Sequence, residues 1–255
     1  MELNRDYESA AIYKWRKKRK KAFVLFICIV GICFLVTRMV RVEDKTTVKV
    51  HNMHTEQNEK AIRYVASKIK EDPKIAITFD DGPSPAWTPQ LLDGLKERNV
   101  KATFFLIGEN AKNNPELVKR EAEEGHLIGN HTYHHVEITR VPDETAQEEI
   151  LMTNEVITGI TGEEVSYMRP PFGVWQKNLE RKLDVMPVLW TIDPLDWTTD
   201  NEDEIINKVV TQAGENDIIL LHDCYESSVN AALRIVDILQ KEGFGFVTVD
   251  ELIMN

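Results

Sequence analysis

The sequence has few cysteines, 3 among 255 residues. Cys28 and Cys33 lie together in one apolar run, which leaves Cys224 alone in the rest of the chain. A disulfide within that main part is therefore excluded, and its fold must rest on a hydrophobic core. A chain of this length has ample material for such a core.

Positive charge is scarce beyond the first 41 residues. Residues 1–41 carry ten Lys and Arg against three Asp and Glu, a net charge of +7, and since the whole chain carries −11, residues 42–255 carry −18. So acidic a main part argues against nucleic acid or an anionic polymer as the partner. A neutral or cationic substrate fits it better.

Long hydrophobic runs are also rare, and the clearest one is 22–37. A dense basic cluster, 16–21, precedes it, and Arg38 and Arg41 follow it. We interpret residues 22–42 as an uncleaved transmembrane signal-anchor, with the basic residues 1–21 in the cytoplasm and the rest of the chain outside a cell membrane that it crosses once. A cleaved signal peptide is the alternative, although no Ala-x-Ala-like site follows the run. Residues 43–73 read as a linker with a lead-in helix at 58–70.

No repeat or low-complexity tract is found in the remainder. No glycine-rich phosphate loop follows the first predicted strand, and its absence weakens a nucleotide-binding interpretation. Strand-like runs alternate instead with amphipathic helical segments, which is typical of a parallel β/α architecture of about seven units. A barrel and an open doubly wound sheet both satisfy the pattern. The predicted strands are 75–79, 102–107, 127–129, 165–168, 185–192, 217–221 and 244–249. The predicted helices are 89–98, 115–124, 143–160, 176–181, 202–213 and 228–241.

Two adjacent carboxylates, Asp80 and Asp81, end the first predicted strand. Burying both beside an apolar core is costly unless a metal or a basic group compensates them. An ordinary Asp-Asp-Gly turn is the simpler interpretation of this stretch taken alone.

Histidines follow the third predicted strand at positions 131, 134 and 135. The spacing alone leaves two pairs open, His131 with His135 or His131 with His134. Two His and the Asp81 carboxylate would form a face that suits Zn, Fe, Co or Ni better than Mg or Ca.

Three further clusters come directly after predicted strands, where the active sites of parallel β/α proteins lie. Arg169 precedes two prolines on a stiff backbone, and a guanidinium held there can orient a carboxylate. Asp193, Asp196 and Trp197 follow the fifth strand. His222 ends the sixth strand beside Asp223, and an imidazole near a carboxylate favours the protonated form that a proton donor needs.

Together these five stretches resemble the polysaccharide deacetylases with NodB homology, carbohydrate esterase family 4, from about residue 74 to 253. The resemblance implies a distorted (β/α) TIM-like barrel as the catalytic domain, residues 74–255. It also implies metal-dependent removal of acetyl groups from sugars, with zinc the most expected ion.

The resemblance assigns Asp80 as the catalytic base and Asp81, His131 and His135 as the metal ligands, which leaves His134 at a variable position. By the same resemblance, Arg169 orients the base, and His222 is the general acid with Asp196 as its partner. Trp197 and Leu220 match the walls of the acetyl-methyl pocket. The backbone N–H of Phe172 matches an oxyanion donor. Asp193 is also a family position. Val136 departs from the pattern, because proline is common after the second His.

The anchor and the acidic outward domain favour peptidoglycan N-acetylglucosamine as the substrate, with acetate released. Chitin or its oligomers, and O-acetyl xylan, are the alternatives, since the motifs do not distinguish amides from esters. A catalytically inactive wall-binding protein on the same scaffold is the non-enzyme alternative. We expect a monomer.

Overall fold

The computed structural model describes residues 72–175, 179 and 183–254. The predicted anchor, the basic segment before it and the lead-in helix lie outside the described residues, as does most of the helix predicted at 176–181. Among the residues that are described, no helix is long and apolar enough to cross a membrane.

A parallel sheet of seven strands carries the fold. Its strands are β1 (Lys74–Asp80), β2 (Thr103–Leu106), β3 (Leu127–Asn130), β4 (Tyr167–Met168), β5 (Met186–Pro187), β6 (Ile218–His222) and β7 (Gly245–Phe246). The strand order is β5-β4-β3-β2-β1-β6, and β7 pairs with the start of β1. Beyond this path an isolated parallel bridge joins Ile192 to Ile219 of β6. This arrangement is consistent with the predicted distorted (β/α) barrel.

Helices follow most of the strands and cover the sheet with apolar faces. They are α1 (Thr88–Glu97), α2 (Gly108–Asn113), α3 (Pro115–Glu123), α4 (Asp143–Thr161), α5 (Glu202–Val210), α6 (Glu226–Lys241) and α7 (Val249–Met254). Short 3₁₀ turns lie at Pro171–Gly173 and Asp196–Thr198. Leu91, Leu95, Ile235 and Leu239 are fully buried in the core that the helices share with β1.

Local chemistry explains where several helices begin and end. Pro115 stands at the start of α3, where a missing N–H costs no hydrogen bond. Asn201 caps α5 by accepting from the backbone N–H of Glu204 at 3.3 Å. Gly162 ends α4 with a left-handed φ of 77°, a conformation that glycine adopts without strain.

Strand β1 sets the position of the chemistry. Its residues Ile75–Asp80 are all buried, and β2 and β6 flank it in parallel register, with Asp80 opposite Phe105 and His222. The register therefore brings two candidate catalytic groups to the same carboxyl edge of the sheet.

Candidate active site

The loops at the carboxyl edge of the sheet surround a cavity of about 420 Å³. All the site residues that the sequence predicts, except the buried pair Arg169 and Asp196, line this cavity directly. The lining residues include Asp80, Asp81, His131, His135, Phe172, Asp193, Trp197, Leu220 and His222.

Asp81 and two histidines form the candidate metal centre. The Nε2 atoms of His131 and His135 lie 3.3 and 3.4 Å from Asp81 Oδ1, and the three ligand atoms fall within 4.8 Å of one another. His134 points elsewhere, because its Nδ1 pairs with Glu149 Oε1 at 2.8 Å. The structure therefore selects His131 with His135 from the two pairs that the spacing left open.

The donor chemistry of this triad fits a divalent cation. His131 Nδ1 lies 2.6 Å from the carbonyl oxygen of Arg169, so this nitrogen carries the proton and Nε2 presents a lone pair to the centre. Asp81 Oδ1 is buried without a hydrogen-bond partner. Although burial acts in the opposite direction, the neighbouring His131, His222 and His135 lower the pKa of Asp81. Burial and the charge of His131 lower the pKa of His135. An ionised carboxylate and neutral imidazoles are the forms that bind metal.

Asp80 is held from the other side by Arg169, whose side chain is fully buried. Nη1 of Arg169 donates to Asp80 Oδ1 at 2.7 Å and to Thr78 Oγ1 at 2.7 Å, and the guanidinium lies 4.3 Å from the centre of the Phe105 ring. Asp80 Oδ2 takes no part in the bond to Arg169 and lies 3.8 Å from His131 Nε2. The Arg thus orients the carboxylate and leaves one oxygen facing the candidate metal centre.

His222 and Asp196 form the third part of the site. Asp196 accepts from His222 twice, at 2.8 Å from the backbone N–H and at 2.8 Å from Nδ1. Burial alone would lower the pKa of His222, but Asp196, with the charges of Asp80 and Asp81, raises it to about 9. The imidazolium therefore points its Nε2 proton toward the centre, 3.9 Å from Asp81 Oδ2.

Backbone strain is concentrated in these loops. Seven non-glycine residues in the described part of the chain have left-handed φ angles, and five of them lie in the site loops, namely Asp81, Thr132, His135, Phe172 and Leu195. Thr132 is β-branched, for which this conformation is unfavourable. Such strain, about 1–3 kcal/mol at each position, is typical of functional sites whose geometry the surrounding fold imposes.

Val136 is the position where the sequence departs from the family pattern. Its backbone N–H donates to Thr132 Oγ1 at 3.2 Å, which is a bond that proline cannot make. This bond ties Val136 to Thr132 within the histidine loop, and the departure removes none of the candidate ligands.

Residues 67–188 match the family model for polysaccharide deacetylases. Over 186 residues the chain is 39% identical to a peptidoglycan-N-acetylglucosamine deacetylase of Bacillus cereus, an alignment that covers 70% of this chain and 68% of that protein. The chain belongs to the polysaccharide deacetylase family.

Two further relatives of this family extend the comparison. The peptidoglycan-N-acetylglucosamine deacetylase PgdA of Listeria monocytogenes is 37% identical over 216 residues, 82% of this chain but 46% of PgdA. The solved structure of the peptidoglycan deacetylase PdaC from Bacillus subtilis has a TM-score of 0.70 and 39% identity, covering 71% of this chain and 90% of that chain. The sequence of PdaC, named a peptidoglycan-N-acetylmuramic acid deacetylase, is matched over 45% of its length. The chain thus spans about half the length of PgdA and PdaC.

Three residues of the site escaped the sequence analysis. Trp190 and Tyr225 line the cavity. Glu149 of α4 is buried and accepts from the backbone N–H groups of Tyr133 and His134. The sequence held one indication of Glu149, since it is an acidic residue on the same face of α4 as the buried Ala146 and Ile150. Trp190 and Tyr225 gave no signal beyond their closeness to strand ends.

Proposed function

We propose that the chain is a metal-dependent hydrolase that removes N-acetyl groups from N-acetylglucosamine units of peptidoglycan and releases acetate. One observation carries the proposal: an Asp-His-His centre lies between an Arg-held carboxylate and an Asp-held imidazole in one open cavity. The names of the Bacillus cereus and Listeria relatives support peptidoglycan as the glycan.

A divalent cation held by Asp81, His131 and His135 would polarise the acetyl carbonyl and make nearby water more acidic. Two imidazoles and one carboxylate favour zinc, with Co, Ni or Fe as alternatives. Asp81 contributes the negative charge of the ligand set, and His131 is fixed by its bond to the Arg169 carbonyl.

Asp80 and His222 divide the proton transfers. Asp80 Oδ2, the oxygen not used by Arg169, accepts a proton from water as the water oxygen forms a bond to the carbonyl carbon. His222 Nε2 then gives its proton to the amide nitrogen, the C–N bond breaks, and acetate and a free sugar amine result. Between these two proton transfers, the backbone N–H of Phe172 donates a hydrogen bond to the oxygen of the attacked acetyl carbonyl, which carries negative charge at that stage.

The acetyl methyl group needs an apolar wall. Leu220 is buried in the cavity wall and Trp197 is 56% exposed at the cavity mouth. We assign them to the methyl pocket, where a small apolar group would be shielded from water.

Acetate release from purified peptidoglycan, chitin oligomers and acetyl xylan tests the substrate class. The proposal expects release from peptidoglycan in the wild type and none from Asp80→Asn. Acetate release from acetyl xylan alone would show that the substrate is an ester and not an amide. Binding to peptidoglycan without release from any of the three would favour the non-catalytic wall-binding alternative.

The cellular location is part of the same proposal. The apolar run at 22–37, with its basic flanks, supports a single-pass anchor with the catalytic domain outside the cell membrane. Protease added to intact protoplasts should then degrade the catalytic domain. Protection until the membrane is permeabilised would contradict this orientation.

A further inference from the structure

We propose that Glu149 is a positioning residue of the metal centre, whose carboxylate holds the histidine loop, residues 131–136, in the conformation that turns both ligand imidazoles toward Asp81. The inference rests on the proposed function, since it concerns the ion that this function requires. Glu149 lies on α4, a helix that contributes no residue to the lining of the catalytic cavity, and its side chain is buried. Any effect on the ion must therefore pass through the loop.

The Glu149 carboxylate binds the loop through three hydrogen bonds. Oε2 accepts from the backbone N–H of Tyr133 at 2.9 Å and from that of His134 at 2.8 Å, while Oε1 lies 2.8 Å from His134 Nδ1. Consecutive backbone N–H groups that point to one side form a concave anion site, and hydrogen bonds to an ionised acceptor are about twice as strong as neutral ones. The protein supplies the anion itself, between the two ligand histidines.

Helix α2 holds the carbonyl side of the same segment. The carbonyl oxygens of Thr132 and Tyr133 accept from the first two backbone N–H groups of that helix, Gly108 at 2.9 Å and Glu109 at 3.1 Å. The segment is thus fixed from both sides, with its carbonyl groups on α2 and its N–H groups on Glu149. Loss of the carboxylate would leave two N–H groups of this segment without their partner, one of them on the buried Tyr133.

The loop needs this support because its backbone is unfavourable. Thr132 and His135 have left-handed φ angles of 63° and 55°, a conformation that residues other than glycine keep only where the surroundings impose it. In this conformation the Nε2 atoms of His131 and His135 lie 3.3 and 3.4 Å from Asp81 Oδ1. A relaxed loop would move the two imidazoles apart. Glu149 therefore keeps the ligands in place before an ion binds.

Zinc affinity, measured on the full chain by competition with a chelator, tests this role. Glu149→Met keeps an unbranched side chain of similar length but removes both acceptor oxygens. Zinc should then bind about tenfold to hundredfold more weakly, the loss typical of removing a group that orients a ligand. Glu149→Gln keeps an oxygen for the two N–H groups and should recover most of the affinity. Glu148→Met is the matched control, because Glu148 is the exposed neighbour on α4, and it should bind zinc as the wild type does.

Thermal unfolding of the metal-free variants separates positioning from stability. A merely structural role for Glu149 would lower the unfolding temperature of Glu149→Met and leave the zinc affinity of the folded protein unchanged, which would overturn the proposal. Zinc binding by the wild type would in that case leave the proposed function standing. Absence of zinc binding by the wild type would refute the metal centre and the positioning role together.

Hydrogen exchange of the metal-free wild type decides if Glu149→Met does not fold. The backbone N–H groups of Tyr133 and His134 should be protected before zinc is added, because Glu149 already holds them. Unprotected exchange of both groups in the metal-free protein would overturn the positioning role.

Discussion

Arg169 donates from Nη1 to Oδ1 of Asp80 across 2.7 Å, and both side chains are buried. A buried carboxylate without its partner is strongly destabilising, by about 3–5 kcal/mol, because the charge has lost its compensation. The same bond also fixes which oxygen of Asp80 faces the candidate metal centre. This pair therefore links the stability of the fold to its chemistry.

Arg169→Gln should lower the free energy of unfolding by about 3–5 kcal/mol and abolish acetate release. The matched control is Arg140→Gln, because Arg140 pairs with Glu137 at 2.9 Å on the surface and should cost less than about 1 kcal/mol. Urea denaturation followed by fluorescence measures both. Equal stability of Arg169→Gln and the wild type would contradict the role given to this pair.

The histidine loop gives a sharp test of the metal centre. His131→Ala and His135→Ala should each lose bound metal, because each removes a ligand atom, and even the loss of a group that only orients a ligand typically costs about tenfold or more in affinity. His134→Ala should retain the metal, since His134 bonds to Glu149 instead. Metal analysis of the purified variants decides, and loss of the ion from His134→Ala but not from His135→Ala would reverse the assignment.

Asp80 and Asp81 are neighbours with separate proposed roles. Asp80→Asn should abolish acetate release with metal content near that of the wild type, because the Oδ1 atom that faces the two histidines belongs to Asp81. Asp81→Asn should lose both. His222→Ala should resemble Asp80→Asn. Substantial activity in Asp80→Asn or His222→Ala would show that the proton transfers are assigned to the wrong groups.

The pH profile follows from the bond between Asp196 and His222. His222 must be protonated to act as an acid, so activity should fall as the pH rises through its pKa of about 9. Asp196→Asn removes the charge that raises this pKa, and the alkaline limb of kcat should therefore move to lower pH. The bond between protonated His222 and Asp196 also stabilises the fold. This stabilisation is complete below the pKa of His222 in the unfolded chain, and it is lost as the pH rises through the folded-state pKa of about 9. An alkaline limb unchanged in Asp196→Asn would mean that another group controls it.

The sequence predicted most of the strands and helices, and it was least accurate where tertiary contacts end an element. The run 185–192 was predicted as one strand, but only Met186–Pro187 pairs with β4, and Ile192 forms an isolated bridge to Ile219. Residues 244–249 likewise contain the short β7, after which Val249 already begins α7. Hydrophobicity marks burial in both cases and does not reveal where a partner strand is available.

Among site residues, the ligand set came from the resemblance, while the spacing of the three histidines left two pairs open. The choice depends on the left-handed backbone at Thr132 and His135 and on Glu149, which binds the backbone of Tyr133 and His134 from a distant helix. The sequence around the histidines does not show that α4 packs against their loop. Helix α2 was missed for a related reason, since it is short and has no side-chain cap.

Mass spectrometry of muropeptides tests the central claim most directly. Purified peptidoglycan is incubated with the metal-loaded full chain or with its Asp80→Asn variant, then digested with a muramidase. The account predicts fragments lighter by one acetyl group on N-acetylglucosamine with the wild type and unchanged fragments with Asp80→Asn. Loss of an acetyl group from N-acetylmuramic acid instead would mean that the chain acts on the other peptidoglycan sugar by the same chemistry. Unchanged fragments with both proteins would contradict the account.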